Sequence, residues 1–314
     1  MFEKVNAGHP DKMADRLAGA VVDLVYERAG GLTKANPRVA CEVMAGHGRV
    51  DVQIETSLGR LDLRADDLDP LIHRLFGERV EGNVLIAPQD PHLSDNQTRG
   101  LRCGDNGIFK GCPPTEEQRV LTAIAATIYG TIPYDGKYII QQRDGQWDLT
   151  VCQSHLSREQ EPELRQMLKE AYNVHLPTIN PLGPWTGGIN VDCGCTNRKL
   201  GSDMGDSVTG GGLMGKDLSK ADVSVNIVCF LKAVASGQVV TAICSIGDES
   251  VTFVYHAPSA ALGDAQASLL SANSVATRHR HHARHVSLLS LLHRLAPHSL
   301  ARGFTYPDGL RRLV

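Results

Sequence analysis

Gly210-Gly211-Gly212-Leu213-Met214-Gly215-Lys216-Asp217-Leu218-Ser219-Lys220-Ala221-Asp222 is the stretch on which the fold is read. Three consecutive glycines bring no side chain to a core and lose the most backbone entropy on ordering, so a need for bare amides or unusual dihedrals explains them. An anion supplies that need. Beyond the loop, Val223, Ile227, Leu231 and Val234 recur at helical spacing, which predicts a helix starting at Lys216. A glycine loop entering a helix presents unpaired N–H groups and a positive dipole end, which suits phosphate. Lys216 and Lys220, four apart, then place two ammonium groups on one helical face, and Asp222 stands ready to hold a cation against a polyphosphate. The pattern is not a Walker loop: the glycine-to-lysine spacing differs and no Ser or Thr follows Lys216. A flexible loop before an ordinary surface helix accounts for the stretch equally well.

Working outward, one order of elements occurs three times. Met13, Leu17, Ala20, Val21, Leu24 and Val25 keep helical spacing through residues 11–28, and Gly30-Gly31 ends that helix. Alternating runs at 39–43 and 50–54 around Gly46-His47-Gly48 predict a hairpin, followed by a helix near 66–76 and a short strand at 83–87. Pro114 opens a second helix that Gly130 stops, and residues 137–142 and 146–152 form a hairpin about Asp144-Gly145. Ser157 caps a helix to Tyr172, and residues 174–179 give a last strand. The third copy starts at Lys216 and has strands at 239–245 and 251–255 joined at Gly247-Asp248.

Successive copies start roughly one hundred residues apart. The chain is therefore read as α+β, with three pseudo-repeated domains around a pseudo-threefold axis, each a small sheet covered by helices. The units are residues 1–102, 103–182 and 183–314, the last carrying the glycine loop and a basic tail. Residues 266–314 hold seven arginines, six histidines and a single acid, Asp308. That tail is read as a solvated segment, with a metal-binding His tract or an anion patch as alternatives.

Composition narrows the class. The 314 residues are 42% hydrophobic and 21% charged, ample for a core in two or three domains. A formal charge of -3 argues against a general nucleic-acid binder. No apolar run reaches membrane-spanning length and polar, motif-like sequence begins by Asn6, so a soluble, cytoplasmic protein with no membrane partner is expected. The eight cysteines include no Cys-x-x-Cys pair, which makes reduced thiols the expectation; Cys193-Gly194-Cys195 has no second pair nearby to complete a metal site.

Other segments carry charge in suggestive places. Gly8-His9-Pro10-Asp11-Lys12 stands at the first helix N-terminus, where the dipole favours anions and Asp11 is placed to take a metal, although a plain capped start looks the same. Glu42 and Glu55 point away from the apolar faces of their strands, so two carboxylates share one polar sheet face, which suits a wet surface, a site or a subunit interface. Gly104-Asp105-Asn106-Gly107 is a turn by composition, and Arg198-Lys199 places a cation pair just before the glycine loop.

In this order the segments resemble the methionine adenosyltransferases, also called S-adenosylmethionine synthetases. The matches are Gly-His-Pro-Asp-Lys at 8–12, Val-Ala-Cys-Glu at 39–42, Ile-Glu-Thr at 54–56, Gly-Asp-Asn-Gly at 104–107, Pro-Tyr-Asp-Gly-Lys at 133–137, Ile-Asn-Pro at 179–181, Asp-Cys-Gly with Arg-Lys at 192–199, and the opening stretch through Asp222. Collinear matches spread over residues 8–222 are far more specific than any one of them. The family fold, three pseudo-repeated α+β domains, agrees with the repeat.

The resemblance implies roles position by position. His9 lies at the ATP triphosphate, Asp11 and Asp222 ligate Mg²⁺, and Glu42 binds K⁺. Glu55, Gln97 and Asp105 line the methionine pocket, and Asp192 touches both substrates. Asp135, Lys137, Arg198, Lys199 and Lys216 hold ATP, Lys220 faces methionine or phosphate, and Trp185 stacks on adenine where the family usually has Phe. The catalytic set is His9, Lys137, Arg198, Lys216 and Lys220.

The implied reaction is attack of the methionine sulfur on C5′ of ATP, then hydrolysis of the tripolyphosphate to phosphate and diphosphate, in a homodimer or dimer of dimers with sites at the subunit interface. A non-catalytic, nucleotide-binding regulatory relative and an enzyme acting on another acceptor are the alternatives. The chain departs from the family pattern at Ala7, Pro184, Thr209 and Val223, and around residues 99–102.

Overall fold

The computed structural model describes residues 1–30, 37–59, 62–92, 95, 107–209, 216–217, 221–245, 248 and 250–256, with the backbone alone at 216–217 and 221–224. Helix α1 (Pro10–Arg28) starts where expected: His9 is its N-cap, the imidazole accepting from the Asp11 amide, and Pro10 takes the first turn, where a missing N–H leaves nothing unpaired. Ala14, Leu17, Ala18, Val21, Val22 and Val25 form its buried stripe. They pack on the hairpin β2 (Val39–Gly46) and β3 (Arg49–Thr56), whose inward residues are Val39, Cys41, Val43, Val50, Val52 and Ile54. Each large aliphatic side chain fully removed from water here contributes about 1.5–3 kcal/mol. A 3-10 turn (Ala65–Leu68) and α2 (Asp69–Phe76) lead back to β4 (Glu81–Pro88), parallel to β3.

The free edge of β2 is shared by two short strands. β9 (Gly194–Cys195) pairs with Met44 and Ala45, and β10 (Lys216–Asp217) pairs with Ala40 and Cys41. This brings the segment bearing Arg198-Lys199 and the exit of the glycine stretch onto one edge, against α1.

A second sheet has the order β1 (Phe2–Val5), β6 (Gly136–Arg143), β7 (Gln146–Gln153), β8 (Thr178–Ile179), under α3 (Glu116–Thr131) and α4 (Glu161–Tyr172). In the third, β11 (Val239–Cys244) lies between β5 (Gly107–Gly111) and β12 (Thr252–His256), with α6 (Ala221–Ser236) packed on it. A short helix, α5 (Leu200–Met204), follows β9. β1, from the chain start, thus completes the sheet of residues 136–153, and β5 completes that of residues 239–256.

Several local expectations are corrected. Lys216 enters a strand rather than a helix, because the open edge of β2 takes its backbone; α6 begins at Ala221, so a shared helical face for Lys216 and Lys220 does not form. Along α6 Leu231 is buried as expected, together with Val225, Asn226, Cys229, Phe230 and Ala233, whereas Val234 is exposed. Thr115, in a reciprocal capping box with Gln118, starts α3 one step after Pro114, and the helix passes through Gly130 to Thr131. Ser157 and Gln160 close a turn of their own before α4, whose first turn takes Pro162, and the last strand of that sheet shrinks to Thr178–Ile179. Among the described cysteines, Cys244 is disulfide-bonded instead of reduced, and the other six are free. No helix among the described residues is long and apolar enough to cross a membrane.

Candidate active site

The turn before α1 is fastened to the second sheet by one buried amide. Asn6 Nδ2 donates to the Tyr134 carbonyl (2.8 Å) and Tyr138 Oη (2.9 Å), while its Oδ1 accepts from the amides of Gly8 (3.0 Å) and Gly136 (3.1 Å). Tyr138 Oη donates onward to Gln153 Oε1 (2.6 Å), and burial pushes the phenol up, so it keeps its proton. These groups fix where the Gly8-His9 turn meets Asp135.

Asp135 is buried and accepts from the Gly188 amide through Oδ2 (2.9 Å). Burial raises its carboxyl above the ordinary range, with the Gly188 hydrogen bond and His9 opposing. Burial lowers the His9 imidazole, against the pull of Asp135 and Asp11, so at neutral pH the ring is uncharged and its Nδ1 faces the Asp11 amide.

Asp11 is fully buried at the first turn of α1. Its Oδ1 accepts from the Cys195 amide (2.8 Å) and lies 2.8 Å from Arg198 Nε, and Lys199 Nζ lies 3.0 Å from Oδ2. Burial alone would raise this carboxyl; Lys199, the Cys195 amide and Arg198 outweigh it and hold the group below the usual carboxylate range. The approach depends on Gly194, since a Cβ there would stand 2.1 Å from the backbone carbonyl of Pro10. The Lys199 contact is an ion pair outside hydrogen-bond geometry, so Oδ2 is a buried oxygen without a hydrogen-bond donor. A divalent cation fits such an atom: it is anionic, hard and has an open lone pair.

Other expected residues gather around this pair. Asp192 is close enough to His9 and Asp135 to influence both, and its Oδ1 accepts from the Cys193 amide (2.8 Å). Trp185 is held by Asn180 (Nε1 to Oδ1, 3.3 Å), and a Cβ at Gly187 would stand 2.7 Å from both its ring and Asp135 Oδ2, so the indole and the carboxylate flank one glycine. Lys137 is elsewhere: it points from the outer face of the second sheet and pairs with Glu3 at 3.1 Å.

Glu42 and Glu55 do share the outer face of the first sheet. Glu42 is opposite Gln53, and Glu55 opposite Ala40, with all three polar side chains exposed. Neither glutamate hydrogen-bonds or pairs among the described residues. Lys216 and Asp222 are placed by backbone only, on β10 and in the first turn of α6, while Gln97, Asp105 and Lys220 lie outside the described residues. Among the described residues, no group of three or more His, Cys, Asp or Glu is arranged to hold a metal ion.

Sequence reading missed Asn6, Tyr138 and Gln153, which orient the turn, and Asp15, whose Oδ1 accepts from the Asn197 amide (2.8 Å). Asp15 had a findable signal: it falls one helical turn after Asp11.

No family model matches the chain. Curated relatives do. The S-adenosylmethionine synthase of Ruegeria pomeroyi is 30% identical over 277 residues, 71% of this chain and 69% of that protein. The S-adenosylmethionine synthase of Helicobacter hepaticus is 26% identical over 304 residues, 81% of this chain and 76% of that protein. The structure of an unusual S-adenosylmethionine synthetase from Campylobacter jejuni aligns with a TM-score of 0.59 at 22% identity, covering 80% of this chain and 79% of that one, and so shares its mixed α and β fold. A relative at this identity, aligned over more than two thirds of its length, together with collinear motifs from residue 8 to residue 222, shows that the chain belongs to the S-adenosylmethionine synthase family.

Proposed function

We propose that this protein is an active enzyme that makes S-adenosylmethionine from ATP and L-methionine by attack of the methionine sulfur on C5′, and then hydrolyses the tripolyphosphate. The observation that carries the reading is the convergence of Arg198 and Lys199 on buried Asp11, beside a neutral His9, at a helix N-terminus. A thioether sulfur needs no base. The barrier lies in expelling a highly charged triphosphate, and fixed cations with a helix N-terminus stabilise that charge without reorganising. Arg198 and Lys199 are both partly exposed and so accessible to an incoming anion. His9, uncharged, is suited to hydrogen-bond the departing oxygen rather than to hold a second positive charge in a buried place.

Asp11 and Asp222 are the proposed Mg²⁺ ligands; when bound, the ion would supply further positive charge to the phosphates. Glu42 beside Gln53 offers a carboxylate and an amide oxygen, the hard donors an alkali ion takes, and is the proposed K⁺ position. Asp135, Trp185, Asp192 and Lys216 are proposed to hold ATP, with Lys137, paired with Glu3 on the outer sheet face, outside this group; Glu55, Gln97, Asp105, Asp192 and Lys220 are proposed to bind methionine. A homodimer that closes the methionine pocket across the outer sheet face is part of the proposal. Three related units bounded near residues 102 and 182, with β1, β5, β9 and β10 each crossing into the sheet of another unit, and a cytoplasmic location, complete the proposal.

Mass spectrometry of protein incubated with ATP, methionine, Mg²⁺ and K⁺ tests it. S-adenosylmethionine is expected, and should vanish in Asp11→Ala. ATP binding without product in a folded dimer would give the lead to a regulatory role.

A further inference from the structure

Lys12 ends the Gly8-His9-Pro10-Asp11-Lys12 motif yet takes no part in the cluster around Asp11. Its ammonium is 2.7 Å from Asp15 and in close contact with Asp203. Lys4 Nζ donates to the Ser202 carbonyl (2.7 Å) and lies 3.4 Å from Asp203, and Ser202 Oγ accepts from the Val5 amide (3.0 Å). Asp15 also accepts from the Asn197 amide (2.8 Å).

These contacts bracket Arg198 and Lys199. Ahead of the pair, α1 grips the amides of residues 195 and 197 with Asp11 and Asp15. The first of these amides ends β9 and the second lies in the turn that follows it, where Asn197 takes a positive φ, so the two carboxylates hold both the strand end and the turn that carries the pair. Behind the pair, α5 is pinned through Ser202 to β1 and through Asp203 to both lysines. Lys4 and Lys12 are each matched by carboxylate and are nearly buried, whereas Arg198 and Lys199 keep open surface.

We propose that Asp15 and Asp203, with Lys4 and Ser202, are positioning residues that aim Arg198 and Lys199 at a triphosphate, and that Lys12 is a strut of this frame rather than a phosphate ligand. The proposal deepens the functional reading above and rests on it. Asp203 touches neither substrate nor metal in that reading; it acts through the two cations.

The sign of one effect separates positioning from bulk electrostatics. Asp203→Asn removes a negative charge near an anion site, so electrostatics alone predicts tighter binding of inorganic tripolyphosphate. A positioning role predicts the reverse, about tenfold weaker binding by calorimetry with Mg²⁺ present, as expected for losing a charge-assisted contact. Turnover should fall in parallel with the methionine KM unchanged, and Asp203→Glu should recover affinity.

Tripolyphosphate affinity in Asp203→Asn equal to or above that of the unmodified protein overturns the frame, as does lower thermal stability with unchanged affinity. Should Asp203→Asn not fold, Ser202→Ala removes only the Val5 hydrogen bond and should weaken tripolyphosphate about twofold or more; unchanged affinity there refutes the proposal too. If the unmodified protein binds tripolyphosphate but forms no S-adenosylmethionine, the enzyme reading fails while the frame is still decided by the affinities. No tripolyphosphate binding by the unmodified protein sinks both.

Discussion

Replacing Asp11 with Asn keeps the shape of the side chain and removes the charge that Arg198 and Lys199 meet. Breaking a buried pair from one side costs about 3–5 kcal/mol when the remaining charge is also buried. The orphaned cations here are 48% and 23% exposed, so water recovers part of that loss, and we expect about 2–3 kcal/mol. For a chain of 314 residues that corresponds to a fall in melting temperature of about 3–5 °C. The pH dependence supplies the check. Asp11 titrates below the ordinary aspartate value because Lys199, the Cys195 amide and Arg198 overcome its burial. A depressed carboxyl stabilises fully above the unfolded value of about 3.9 and loses that contribution as pH falls through its lower native value. Urea unfolding in metal-free buffer should therefore show a constant gap between the two proteins from pH 7 to 5 that closes below about pH 4. A gap that persists unchanged at pH 3 would mean packing, not charge; no gap at pH 7 would refute the ion-pair account altogether.

Gly194→Ala should part β9 from α1, since the new Cβ meets the Pro10 backbone at 2.1 Å; we expect a loss of about 2 kcal/mol or more and a marked loss of tripolyphosphate affinity, and normal behaviour in both assays would discredit the contact. Tyr138→Phe leaves Gln153 and Asn6 without the phenol they share, for about 1–3 kcal/mol in chemical unfolding; a neutral result would mean that knot is not tight. Asp23 on α1 has its carboxyl raised to about 6 by burial, so its favourable protonated state is lost as pH rises from about 4 through 6. Asp23→Asn should then stabilise by about 1 kcal/mol at pH 7 after allowing for its partial exposure, and by nothing at pH 4. Lys216→Ala should depress turnover far more than stability, and a variant unfolded at ordinary temperature would assign this residue to structure.

The hairpins at 39–56 and 136–153 were legible because a strand with one wet face writes a period of two into its own residues, and both turns pass through positive φ where His47-Gly48 and Asp144-Gly145 stand. The shared outer face of Glu42 and Glu55 followed from the same alternation. What sequence reading lost was everything decided at an open edge. A two-residue strand such as Lys216–Asp217 or Gly194–Cys195 has no period to detect, and only the vacant edge of β2 makes it a strand. The crossing of β1 and β5 into sheets built mainly from later residues was hidden for the same reason. The glycines suggested an anion, but the cations that reach Asp11 come from a segment whose Cys195 amide is 184 residues away in sequence.

The motif at residues 8–12 shows why contiguous sequence is a poor guide to shared work. Consecutive residues on a helix are turned by about 100°, so five neighbours cannot all face one ligand. His9 caps the helix, Asp11 turns into the cluster, and Lys12 faces α5, where Asp203, together with Asp15 of its own helix, neutralises it. Asp11 and Asp15, four apart, share a side and grip the end of β9 and the turn after it. The division follows from helical geometry plus desolvation. A lysine buried among carboxylates has its charge already answered and stiffens what it joins, while Arg198 and Lys199, answered by a single carboxylate and left partly in water, retain positive charge for an anion.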